Sequence, residues 1–132
     1  MATLYWLGTA AAVSQSGTFT VTAYDAATTY AVIIGGVTVS VVGSGGTTTT
    51  VATALTTALN ASTHPYFAAI TWSSNAAVIT GTTDTAGVPF TATSSETGGT
   101  GTIGDYAAVT ASSGPNDWST AANWSTGAVP VN

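Results

Sequence analysis

The sequence predicts an α+β protein: an antiparallel, β-rich sheet or sandwich of about seven strands, with one amphipathic helix packed on it. Three observations carry that prediction. Apolar and hydroxyl-bearing residues alternate in short runs along most of the chain, the pattern of strands with one buried face. A single window, TTTTVATALTTALNAS, switches to a helical period. Glycine-rich breaks such as GSGG and TGGTG punctuate the runs as turns do.

The first strand is GTFTVTAYD, residues 17–25, in which Phe19, Val21 and Ala23 alternate with Thr18, Thr20 and Thr22. Two apolar runs follow, residues 30–34 and 37–42, separated by Gly35-Gly36. A Gly-Gly pair supplies the positive φ values of a two-residue hairpin turn, so these runs are predicted antiparallel neighbours. The helix is predicted over residues 49–61, with Val51, Leu55 and Leu59 spaced along one face and Thr48 or Thr49 capping its start. Asn60 is placed to end it. Beyond His64-Pro65, FAAITWS and AAVITGT read as a second hairpin turning through Ser73-Ser74-Asn75. TAGVPFTATSS continues the sheet with Val88, Phe90 and Ala92 on one face, and Pro89, which donates nothing to a ladder, places that strand at an edge or at its own start. A last strand is expected over residues 106–110, and SSGPND reads as a linker turn.

At 132 residues the chain has the length of one core-bearing domain. That domain is expected over residues 1–113, with 114–132 a tryptophan-containing C-terminal segment leading into a further β-region. The mean hydropathy of +0.39 derives from alanine and valine set among threonines: 24 Ala and 29 Thr. No run approaches 18 apolar residues, so no membrane span is expected. The N-terminus MATLYWLGTAAAVSQ lacks the basic n-region and long apolar core of a secretory signal, so export would use another route.

Lys+Arg is 0 against Asp+Glu 5. A chain without cations has nothing with which to displace counterions from phosphates, so neither nucleic acid nor an anionic membrane surface is an expected partner. Lysine-dependent chemistry, from Schiff bases to P-loops, is excluded on the same ground. Cys 0 excludes disulfides and thiolate metal sites. With so little charge to keep it dispersed, a hydroxyl-rich, weakly acidic surface fits a chain in an assembly or outside the cell.

No motif assembles a reaction centre, and no catalytic residue, metal or cofactor is expected. His64 is the only histidine; no spacing supplies a nucleophile and a carboxylate for it, and after the helix it reads as a loop or capping residue. Asp25, Asp84, Glu96, Asp105 and Asp117 are scattered singly through turns, without the alternation of a calcium loop or a spacing that favours a glycosidase pair. Asp84 and Asp117 read as turn residues bonding nearby amides. GSGG and ETGGTGTIG lack the GK[ST] ending of a phosphate loop and read as connections. The tryptophans remain: Trp6, Trp72, Trp118 and Trp124, with Tyr5 and Tyr66 beside them, are the candidate interface or sugar-stacking residues. Trp72 lies on an alternating strand, which also fits a core position.

The succession YAVIIGGVTVSVVGSGG, TTTTVATALTTALNAS, AAITWSSNAAVITGTTDTAGVPFTATSS resembles a module recurrent in phage and prophage virion proteins. Gly35-Gly36, the Val51-Leu55-Leu59 stripe and Thr85-Ala86-Gly87-Val88-Pro89-Phe90 stand in its turn, helix and following strand. The start ATLYWLG and the end NDWSTAANWSTGAVPVN are similar to planctomycete-type hypothetical phage proteins, in which W-x5-W followed by G-x-x-P leads into a β-solenoid. One departure is Thr83-Asp84, where such modules often carry a lysine before T-A-G. The resemblance implies a non-enzymatic structural role in a virion, as decoration, tail or fibre, or in an extracellular filament, with copies of the chain or neighbouring proteins as partners. A carbohydrate-binding or adhesive surface module, with glycans as partners, is the alternative.

Overall fold

The computed structural model describes residues 3–131. Its elements run β1 (Ser16–Ala23), β2 (Thr29–Ile34), β3 (Val37–Val42), α1 (Thr48–Ala61), α2 (Pro65–Ala68), β4 (Ile70–Asn75), β5 (Val78–Thr83), β6 (Ala92–Thr97), β7 (Thr102–Ile103) and β8 (Ala107–Thr110). The predicted class holds: this is an α+β fold of antiparallel sheets with one main helix. One sheet is ordered β4-β5-β1-β7, with β8 also paired to β1; the other is β3-β2-β6. β1 is the hub of the larger sheet, holding β5 along one edge and sharing its other edge between β8 and β7.

The alternation in GTFTVTA does what period-2 patterning demands, burying Phe19 and Val21 between the layers. β2 meets β3 from Ile34↔Val37 to Thr29↔Val42, and Gly35 and Gly36 both adopt positive φ, as the predicted two-residue turn requires. α1 opens one residue earlier than expected. Thr47 caps it, accepting from Thr50 N at 3.1 Å while Thr50 Oγ1 accepts from Thr47 N at 3.3 Å, a capping box built from two threonines. Val51, Ala52, Leu55 and Leu59 are buried, each large side chain contributing about 1.5–3 kcal/mol of apolar burial.

The helix packs chiefly against β3 and β4, which are edge strands of different sheets, so it roofs one open side of the sandwich. Asn60, expected to end the helix, lies within it and turns to β4: Nδ2 donates to Trp72 O at 2.8 Å and Oδ1 accepts from Trp72 N at 3.2 Å. One amide side chain thereby occupies both outward backbone groups of that edge residue.

Two expectations about the second half need correction. The β4–β5 turn is Ala76-Ala77, with Ala76 at φ 50°, and Ser73-Ser74-Asn75 belongs to β4. A turn at the serines would pair residue 72 with 76 and carry Ile79 to the solvent face. The observed register puts Ile70, Trp72, Ile79 and Gly81 inside together, at a cost of about 1–2 kcal/mol for the left-handed alanine. Residues 84–91 form a loop, and the strand begins at Ala92, paired with Ile34; the expected face survives only in Ala92 and half-buried Phe90, while Val88 is exposed. β6 is an edge strand with Pro89 ahead of it, as that proline requires. The short β7, preceding the expected final strand, had no sequence signal beyond Ile103.

Thr56 is buried in α1 against the core, and its Oγ1 has no hydrogen-bond partner among the described residues. Thr56→Val keeps the shape and removes the unpaired hydroxyl, so it is expected to stabilise the fold by about 1 kcal/mol, read as a raised urea midpoint at unchanged m-value.

Candidate functional site

Three of the four tryptophans meet at one place. Residues 3–13 and 113–127 run antiparallel, joined by the bridge pairs Trp6↔Trp124 and Val13↔Ser113. Leu7 N donates to Asn123 O at 2.7 Å, Ser125 N to Tyr5 O at 3.0 Å, and Val13 N to Ser113 O at 2.8 Å. Trp6 and Trp118 stack at 5.7 Å between ring centroids with an interplanar angle of 14°, and Trp124 stands edge-on to both, at 5.2 and 4.3 Å. Offset stacking and edge-to-face contact are the arrangements that the aromatic quadrupole favours.

The three rings differ in access. Trp124 is 5% exposed, Trp6 38% and Trp118 64%. Trp124 Nε1 donates to Trp118 O at 3.0 Å, so the buried indole pins the backbone of the exposed one. Residues 113–127 of the C-terminal segment are built jointly with the N-terminal residues. Asn123, in the 3-10 turn Ala121–Asn123, is the hinge pin: it is fully buried, accepts from Ala10 N at 2.8 Å, and donates to Gly114 O at 2.7 Å and Asp117 O at 2.9 Å. Sequence reasoning passed over it, because one asparagine among small polar residues looks like any turn residue.

Asp117 orders the turn that carries Trp118. Its carboxylate accepts from Ser119 Oγ at 2.7 Å, Thr120 Oγ1 at 2.9 Å and Ser119 N at 2.9 Å, and these bonds, the Ser119 hydroxyl foremost, hold its carboxyl below the ordinary 3.8. Asp25 behaves alike: the Ala27 amide foremost, then the Thr100 hydroxyl, lowers it from 3.8. Asp84 accepts from Thr71 Oγ1 at 2.6 Å. Asp117 thus takes the turn role expected of it, bonding the nearby Ser119 amide, whereas Asp84 bonds a hydroxyl on β4 rather than a nearby amide. His64 caps α2, Nδ1 accepting from Tyr66 N at 3.3 Å. Among the described residues no three His, Cys, Asp or Glu side chains gather as a metal site would need, and no helix is long and apolar enough to cross a membrane.

Trp72 is the correction in this set. At 3% exposure its ring lies in the core over Gly81, its cross-strand partner, where an added Cβ would come within 2.6 Å of the indole. Its face is closed to any sugar or partner. Tyr66 belongs to a different surface feature, an apolar groove of about 380 Å³ between the β2–β3 turn, α2 and the 84–91 loop, where its ring covers Gly35. Leu4, Tyr5, Trp6, Leu7 and Trp118 of the ribbon are all exposed, five of the large apolar side chains that the described residues leave in solvent. Neither known protein families nor curated proteins provide a match to this chain.

Asn123→Ala leaves Ala10 N, Gly114 O and Asp117 O without their partner and is expected to cost about 3 kcal/mol of ribbon stability, seen as loss of near-UV circular dichroism and a red shift in tryptophan emission. Lowered carboxyl pKa values make the Asp25 and Asp117 contributions complete above pH about 3.8 and lost as pH falls through the lowered values. Tryptophan fluorescence is therefore expected to stay flat from pH 7 to about 4 and to change only in stronger acid.

Proposed function

We propose that this chain is a non-enzymatic structural module that assembles with copies of itself or with neighbouring proteins, in a phage-like virion as decoration, tail or fibre, or in an extracellular filament. The observation that carries this reading is the exposed apolar ribbon on a surface without a single lysine or arginine. Leu4, Tyr5, Trp6, Leu7 and Trp118 each expose apolar surface of the kind that partners bury, with the stacked Trp6 and Trp118 rings ordered by Trp124. Sheet edges support it further, since lysine is the residue most used to keep edges apart and none is present. The resemblance of the middle of the chain to virion modules points the same way.

A second reading, a carbohydrate-binding or adhesive module at a virion or cell surface, is favoured by Trp118 in particular. Its indole is the most exposed of the four, held rigid from behind by Trp6 and Trp124, as a pyranose-stacking platform must be.

Analytical ultracentrifugation and negative-stain microscopy separate the two. Concentration-dependent oligomers or filaments are expected from the wild-type chain, and a strict monomer at millimolar concentration rejects self-assembly. On a glycan array, hits that Trp118→Ala weakens at least tenfold would favour the second reading. Trp124→Ala is the poorer probe, because that ring is buried and its loss disturbs the whole cluster.

A further inference from the structure

The sandwich has a strand on each rim, and all but one of the rims are occupied. α1 packs along β3 and β4 on one side, with Asn60 filling both outward backbone groups of Trp72. On the other side β6 lies against the β7 region, where Ser94 Oγ donates to Gly104 O at 2.9 Å. Among the described residues β8 pairs with β1 alone, and all four of its residues are exposed, Val109 at 65%. Its register against β1 shifts once, at Val109, and both of its ends are fixed. Tyr106 anchors its start, the ring packed on Phe19 and Phe90 and the hydroxyl accepting from Gln15 Nε2 at 3.0 Å, while the Val13↔Ser113 bridge anchors its end.

We infer that β8 is the edge through which two copies of this chain join, pairing antiparallel with the β8 of the second copy about a two-fold axis. This rests on the assembly reading above and adds to the ribbon a second surface, through which like copies join. The strand Ala-Ala-Val-Thr is self-complementary: a symmetric register sets Ala107 opposite Thr110 and Ala108 opposite Val109, small side chains that meet without clash. In that register Asp105 falls opposite Ser112, whereas parallel in-register pairing would set the two Asp105 carboxylates side by side. Residues 106–113 carry no charge, so the edge offers one of the uncharged approaches by which two acidic copies can meet. The fixed ends matter too, because an edge already extended loses little conformational freedom on pairing. The product is one sheet continuous across both copies, a β-augmentation in which each copy is donor and acceptor.

The test compares wild type, Val109→Lys and Val42→Lys by sedimentation equilibrium. Val42 is an exposed residue on β3, the strand that α1 backs, and serves as the control. Val109 is exposed, so Val109→Lys should keep the far-UV circular dichroism and tryptophan emission of the wild type. The expected result is association weakened at least tenfold by Val109→Lys and little changed by Val42→Lys. Wild-type association that survives Val109→Lys, or that falls equally in both variants, overturns β8 as the joint while leaving assembly through another surface standing. A wild-type chain that stays monomeric at millimolar concentration overturns both.

Discussion

A chain without lysine or arginine lacks their ion pairs, and one without cysteine lacks disulfides, with which to tie distant segments together. What remains is apolar burial and the uncharged hydrogen bond, and five polar side chains tie separate segments together through it. Tyr30, fully buried, accepts from Asp25 N and donates to Ala23 O, both at 2.9 Å, closing the β1–β2 connection. Thr28 donates to Gly98 O at 2.7 Å and accepts from Gly101 N at 2.9 Å, stitching that connection to the loop after β6. Gln15 holds Phe90 through both N–H and C=O, at 3.1 and 2.6 Å. Asn60 does the same for Trp72, and Asn123 joins the two terminal segments. Each places one polar side chain against backbone groups that no strand reaches, and each is costly to remove because the groups left behind are partly or wholly buried.

These ties explain how two modest sheets close. A sandwich leaves open sides where neither sheet supplies a partner. Here α1 spans one side, made possible by a stripe whose Val51, Leu55 and Leu59 reach both layers, and β7 draws the other side together. β1 bears the consequence. Its outer edge is too long for either β7 or β8 alone, so the two divide it, with register breaks in both pairings. The break against β7 falls at Thr22 of β1 and that against β8 at Val109 of β8, and β7 also meets β6. β8 is therefore exposed for a topological reason, as the strand left over once the sandwich has shut.

What was legible in the sequence was what depends on near neighbours. Gly35-Gly36 fixed its hairpin because positive φ at two successive positions is a local demand, and the Val51-Leu55-Leu59 spacing marked the helix because its period is local too. Trp72 was ambiguous for the opposite reason. Whether a tryptophan on an alternating strand faces core or partner depends on what lies across from it, and Gly81, which makes room for the ring, is settled by the register. The β4–β5 turn was misplaced because Ser-Ser-Asn is better turn chemistry than Ala-Ala, and only the need to bury Ile79 beside Trp72 overrides it. The ribbon was invisible as a pair: Trp6 and Trp124 stand at opposite ends of the sequence, and no periodicity in either segment announces the other.

The ribbon is energetically a unit of its own. A two-stranded segment is marginal in water, and here backbone pairing is confined to isolated bridges. Three aromatic contacts, each worth about 0.5–1.5 kcal/mol beyond area burial, together supply about 1.5–4.5 kcal/mol. The Asn123 bonds add a similar amount at about 1 kcal/mol each. The ribbon also leans on the body, where Gly87 N donates to Val13 O at 2.9 Å and the Val13↔Ser113 bridge continues the line of β1 and β8. Opening of the ribbon should therefore lie well below global unfolding in free energy, and it begins at the indoles, farthest from that support. A partner that covers Trp6 and Trp118 would add burial where the ribbon is weakest, so binding there and ordering of the ribbon are a single equilibrium.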